Sequence, residues 1–351
     1  MVEVIDEIPH QFQNRDIQFN ARLGSREEKI IQYHLRPVKR GVYHFGAVNV
    51  YCYTKVGLIS RRYRFSQDIK VPVYPSYLQL RKYELQAISN QLVDYGIKKI
   101  RKIGHNMEFE QIKDYVAGDD FRTINWKATA RRSSLMVNNY QEERSQQVYC
   151  IIDKGRVMKM PFEGLTLLDW SINASLVISN IAIKKDDKAG LITFQHKIGT
   201  LLPASRRSNQ MHFLLENLFN QKTAYKESDY SSLYATVKRK VNQRSLLLLF
   251  TNFESVSSME RQLPYFQRMA KDHVLVTIFF ENTELEKFTM GRAEDIQTVY
   301  QKIIAEKLVY EKKLIVKELN RHGIHTILTT PENLTVNTIN KYLEIKSRGL
   351  I

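Results

Sequence analysis

Cysteine is nearly missing from this chain: there are two, Cys52 and Cys150, each flanked by apolar or aromatic residues. Neither stands in a Cys-x-x-Cys or Cys/His arrangement, so no zinc site is legible, and two isolated thiols fit a reducing compartment. Glycine and proline are scarce, 14 and 8 residues, which argues against a long flexible linker. No run of about 18 apolar residues occurs, so neither a membrane span nor a secretory leader can be read. Catalytic patterns are missing too. His44, His105, His196, His212, His273, His322 and His325 are scattered with no His-x-x-x-His pair. Neither Gly-x-Ser-x-Gly nor Gly-x-x-x-x-Gly-Lys appears. His322-Gly-Ile-His325 marks a helix end before a strand. The expectation is a protein that is not an enzyme and holds no cofactor.

What is present is a globular composition with an excess of positive charge. The 351 residues are 43% hydrophobic and 11% aromatic, enough for two domains with a sizeable core. The net charge is +16, from 53 Lys and Arg against 37 Asp and Glu. That balance favours an anionic contact: nucleic acid, an acidic protein or the anionic cytoplasmic leaflet.

Three stretches follow from the patterning: a β-sandwich-like domain at 1–76, a connecting helix and polar segment at 77–147, and an α/β domain at 148–351. In the first, Ile17, Phe19 and Ala21 alternate with polar residues, as do Ile31, Tyr33 and Leu35. Arg36–Gly46 is a turn feeding a further alternating run, and Val71-Pro-Val-Tyr-Pro75 closes the series. Arg61, Arg62 and Arg64 read as a solvated face. Met1–Pro9 already reads as a strand in progress, as if something once preceded it. Leu78–Tyr95 has helical spacing, and the basic run Lys98–Lys102 follows.

Beyond 147 apolar strands (148–153, 189–194, 246–251, 274–280, 324–328) alternate with helical patterns (164–184, 207–220, 230–242, 258–271, 294–322, 334–346). This predicts a parallel sheet covered on both faces, doubly wound. Its ligands would bind outside the carboxyl ends of the strands. Those ends supply Asp153 and Asn252, with Glu227–Tyr230 as a third contributor. An apolar strand ending in a lone carboxylate, Val148-Tyr-Cys-Ile-Ile-Asp153, resembles the opening of a von Willebrand factor A-type domain. Metal-binding members carry Asp-x-Ser-x-Ser there, because a hard divalent cation takes several oxygen ligands. Here Gly155 and Val157 replace the hydroxyls, Asn252 stands where a carboxylate would help, and Lys154 and Arg156 add repulsion. The expectation is a degenerate site without metal; Asp153 serves equally as a turn cap.

Segment 113–132 carries Asp114, Asp119, Asp120, Arg122, Trp126, Lys127, Arg131 and Arg132. Gly118-Asp-Asp120 reads as a turn, with Phe121, Ile124 and Trp126 packing beneath it. Arg122 or Arg131 paired with Asp119 or Asp120 would staple the turn in place; the rival reading is a partner surface. The run Glu108–Arg131, with its Tyr-x-x-Gly-Asp-Asp turn, Arg-x-Ile-x-Trp and closing Ala-Arg, resembles the signature of domain-of-unknown-function family number fifty-eight. Arg40–Gly46 and Gly57-Leu58 extend the resemblance upstream. It implies a bacterial protein anchored in the inner membrane by two N-terminal spans, with a β-rich domain and an A-type domain on the cytoplasmic face. It also implies a MoxR-type AAA+ ATPase, or that ATPase's client, as partner.

The function expected is a non-enzymatic protein-binding adaptor, the soluble part of such a membrane protein. Two alternatives stay open. One is a basic nucleic-acid-binding module, favoured only by charge and Tyr- and Arg-rich strands. The other is a Mg²⁺-dependent ligand-binding A domain centred on Asp153.

Overall fold

The computed structural model describes residues 1–13, 17–24, 26–54, 58–75, 107–116, 119, 121–142, 145–162, 164–291 and 295–350. The predicted helix at 78–95 and the basic run after it lie outside these residues. Among the described residues no helix is long and apolar enough to cross a membrane.

The N-terminal part is one antiparallel sheet in the order β2-β1-β3-β4, built from β1 (Val2–Asp6), β2 (Gln18–Ala21), β3 (Gly41–Tyr53) and β4 (Ser60–Val73). Among the described residues one sheet, and no second one packed on it, stands where a sandwich was expected. The alternation at Ile31, Tyr33 and Leu35 does not make a strand; 27–38 has no regular structure. Its periodicity is still one of burial: Ile31, Tyr33 and Leu35 are half-covered and the residues between them exposed, and the Tyr33 ring packs 5.4 Å from Phe19 with its hydroxyl bonded to Asp6. Val4 faces Val50 across the β1–β3 ladder. The outer strand β4 leaves Tyr63, Phe65 and Ile69 exposed.

A two-stranded ribbon follows, β5 (Met107–Asp114) against β6 (Met136–Glu142), with α1 (Trp126–Arg132) between them. Asn125 caps α1 by accepting from Ala128 N at 3.0 Å.

The largest unit is a six-stranded sheet, β11-β10-β7-β12-β13-β14. Its strands are β7 (Gln147–Asp153), β10 (Lys188–Phe194), β11 (Ile198–Ser205), β12 (Leu246–Phe250), β13 (Val274–Phe280) and β14 (His325–Thr329); a short hairpin, β8 (Pro161–Phe162) with β9 (Leu165–Thr166), lies beside it. All pairings are parallel except the edge strand β11. The helices are α2 (Leu167–Lys184), α3 (Gln210–Leu218), α4 (Tyr230–Lys240), α5 (Val256–Glu260), α6 (Leu263–Asp272), α7 (Thr283–Met290), α8 (Ile296–Arg321) and α9 (Leu334–Ser347).

Strand periodicity divides the core in two. Val148, Cys150, Ile152 and Leu248 join α2, α3 and α9 on one face; Tyr149, Ile151 and Leu249 join α4, α6 and α8 on the other. Such strands are buried on both sides, which is why they read as unbroken apolar runs. The helix expected over 258–271 is two helices, broken at Arg261–Gln262. Pro264 opens the second, where its missing N–H does no harm. The chain winds from β7 out to β11, then returns to β12 and winds out the other way. The order reverses between β7 and β12, so the doubly wound expectation holds and the crevice opens beyond Asp153 and Phe250.

Candidate functional site

Asp153 ends β7 fully buried, 0% exposed. Its Oδ1 accepts from Gly155 N at 2.7 Å and from the Ser228 hydroxyl. Its Oδ2 accepts from Thr251 Oγ1 at 2.8 Å. Tyr230 Oη lies 3.1 Å from the same oxygen and 2.7 Å from Thr251 Oγ1, so its single proton serves one of the two. Burial pushes the Asp153 carboxyl above its ordinary range, and the bonds from Ser228, Gly155, Thr251 and Tyr230 act against that rise. The Tyr230 phenol is raised well above its usual value by burial and by the Asp153 charge.

The loop carrying Ser228 closes over Gly155. A Cβ at position 155 would overlap the Ser228 hydroxyl and lie 3.0 Å from Asp153 Oδ1. The hydroxyl of residue 228 thus fills the space that a serine side chain at 155 would need. Val157 lines the crevice and packs against the core, and it brings no oxygen to the site. A hard divalent cation needs several free, charged oxygens. This donor set fits one poorly: Asp153, Glu227 and Glu254 line the crevice, but both oxygens of the buried Asp153 already accept protein donors, and among the described residues no three such side chains gather closely enough to hold an ion. Glu254, on the rim, is 3.5 Å from Arg156. The crevice encloses about 190 Å³ between Arg156, Ser228, Asn252, Ser255 and Arg261.

Two neighbours behave differently from the sequence reading. Lys154 turns its ammonium to Gln221 Oε1 at 2.9 Å, close against Gly199. It therefore adds little repulsion above Asp153. Asn252 does not face Asp153; its Oδ1 accepts from the Lys312 ammonium, which also bonds Phe253 O. Thr251, one residue earlier, is the group that reaches the carboxylate. Sequence reasoning named the 227–230 loop but missed Tyr230, Thr251 and Lys312 as individuals. The one available signal was the abrupt change from apolar to polar at the end of β12.

The ribbon segment is more exposed than expected. Asp119 pairs with Lys113 at 2.9 Å and accepts from Val116 N at 3.1 Å, which holds its carboxyl below the usual range. The staple at Asp119 is thus made by a lysine six residues earlier, in β5, not by arginine; Asp120 lies outside the described residues. Phe121 and Trp126 do not pack beneath the turn: they are 71% and 70% exposed. A two-stranded ribbon with a seven-residue helix has too little depth to cover both rings, and Met136 and Val137 take the buried places. The Arg122 guanidinium lies 5.9 Å from the Phe121 ring centre, and Arg131 is exposed in the last turn of α1.

The family model described as "Protein of unknown function DUF58" matches residues 111–293, just over half of the 351-residue chain. The chain belongs to the DUF58 family. The uncharacterized protein YeaD of Bacillus subtilis (strain 168) is 28% identical over 188 residues, 54% of this chain and 44% of that protein. This DUF58 chain thus aligns with less than half the length of that curated relative. Among solved structures, the conserved hypothetical protein BatB from Bacteroides thetaiotaomicron is 11% identical at a TM-score of 0.40, over 58% of this chain and 99% of that one. The SpRpn10 VWA domain is 12% identical at 0.36, over 56% and 94%.

The DUF58 match takes in the ribbon and the crevice and stops before α8. Arg40–Gly46 lies upstream of it, yet Arg40, Gly41 and Gly46 each have a visible task. Arg40 is 11% exposed at its side chain, pairs with Asp169 and donates to Gln221 O at 2.7 Å. Asp169 is the N3 residue of the α2 capping box, so the arginine grips the start of that helix. Gly41 has φ 134°, a value that disfavours side chains. A Cβ at Gly46 would lie 2.6 Å from Glu7 Oε2.

Proposed function

We propose that this DUF58 protein is a non-enzymatic adaptor whose recognition surface is the ribbon segment around α1. The single observation that supports it most is the outward placement of Phe121 and Trp126 beside Arg122, Lys127 and Arg131. Interface hot spots are enriched in Trp, Tyr and Arg, and a ring left two-thirds in water gains most from being covered. The family resemblance supports a MoxR-type AAA+ ATPase, or its client, as the protein bound. On that reading an N-terminal anchor would hold the chain at the cytoplasmic face of the inner membrane. The engaged carboxylate of Asp153 supports recognition by shape and positive potential instead of a bridging cation.

Capture of the purified ATPase on immobilised chain tests this. Trp126→Ala and Arg131→Ala, with unchanged thermal unfolding, are expected to weaken capture at least tenfold. Undiminished capture by both folded variants refutes the assignment. The nucleic-acid alternative has only the charge and the Tyr- and Arg-rich strands behind it; loss of binding with added salt is its signature.

A further inference from the structure

We infer that the cavity between β13, β14, α7 and α8 is a binding site for a small apolar carboxylate, an aliphatic or aromatic acid. This site is separate from the ribbon surface and does not depend on the reading above.

The cavity holds about 330 Å³, within the range of small-molecule sites of about 300–1,000 Å³. An apolar cavity of about 150 Å³ takes benzene, so this one has room for roughly ten carbons. Its floor is apolar: Phe162, Leu167, Phe253 and Phe280 are buried, and Leu285 and Leu328 line the sides. Lys312 is the exception. Its ammonium is tucked against Asn252 Oδ1 and Phe253 O, both neutral oxygens. No carboxylate among the described residues stands within ion-pair distance of it; Glu254 acts on it only from farther off. Glu254, Glu281 and Lys313 are the other charged residues of the lining.

An ammonium placed on an apolar wall and met only by neutral acceptors is a counter-charge without its anion. Burial accordingly draws its pKa down to about 8. A carboxylate entering beside it would gain a charge-assisted hydrogen bond and remove that imbalance. The hydrocarbon would cover the aromatic floor. A peptide terminus is a worse fit, since each amide brought into the cavity needs a partner and the lining offers few.

Octanoate and 1-octanol, titrated into the full chain at pH 7 by calorimetry, read the charge and the chain separately. Octanoate is expected to bind saturably at one site and at least tenfold more tightly than octanol. In folded Lys312→Met, octanoate should fall to the level of octanol. Absence of saturable octanoate binding up to millimolar concentration overturns the proposal, as does equal binding of the two by the unaltered chain. The same holds if folded Lys312→Met keeps the preference. A short peptide ending in Leu-Leu that binds more tightly than octanoate would also overturn it.

Discussion

At the residue scale the site turns on how Asp153 is satisfied. A buried carboxylate without donors would be strongly destabilising, and here Gly155, Ser228 and Thr251 donate to it, with the Tyr230 hydroxyl beside them. Asp153→Asn keeps the shape and an acceptor oxygen while removing the charge. Its thermal midpoint at pH 7 is expected to equal or exceed that of the unaltered chain. Asp153→Ala leaves Ser228, Thr251 and Tyr230 facing an apolar gap, and a loss of about 2–3 kcal/mol is expected. Equal stability of the Ala variant in urea unfolding would show that the hydroxyls do not depend on the carboxylate. Lys312 gives a pH dependence of known sign. Its folded pKa near 8 lies below the ordinary lysine value of 10.5. Between those values the unfolded chain binds more protons, so this group makes stability rise with pH. Relative to Lys312→Met, the unfolding free energy should gain about 1 kcal/mol from pH 7 to pH 9. A flat difference would contradict the buried placement of the ammonium.

At the scale of elements, the strands legible in the sequence are those buried on both faces. The reading of Val274–Phe280 matches to the residue because six of its seven side chains are apolar and Thr277 is small and β-branched, and those of β7, β10 and β12 match to within one position. The edge strand β11 was not legible. Its run Ile198-Gly-Thr-Leu-Leu-Pro-Ala-Ser205 mixes Gly and Pro into a half-covered strand, with two register shifts against β10. Asp153 was legible as the end of a strand. Its partners were not, because Ser228 and Thr251 arrive from 75 and 98 residues away. No local pattern encodes such a meeting. The exposure of Trp126 has a related reason: an apolar residue beside a polar turn gives no local sign of whether anything covers it. Arg40 belongs to this scale too, since one side chain joins the N-terminal sheet to the start of α2. Arg40→Ala strands Asp169 in a partly covered place and removes the tie to Gln221. A loss of about 3 kcal/mol is expected, from the cost of breaking a buried pair. A midpoint in chemical denaturation unchanged within error would contradict a coupling role.

At the scale of the whole molecule, a charge of +16 goes with two pockets at the carboxyl ends of the strands. Crevice and cavity share Asn252, Phe253 and Glu254, so they adjoin across the end of β12. The account separates three jobs. The Asp153 cluster holds the top of the sheet together, the ribbon presents aromatic and cationic groups, and the Lys312 cavity is set apart for a small acid. Its central claim is that partner recognition runs through the ribbon and not through a cation on Asp153. Dissociation constants for the MoxR-type ATPase, measured side by side for Trp126→Ala and Asp153→Asn, test it most directly. The account predicts at least a tenfold weakening for Trp126→Ala and less than a twofold change for Asp153→Asn. Loss of binding in Asp153→Asn with Trp126→Ala unaffected would contradict it.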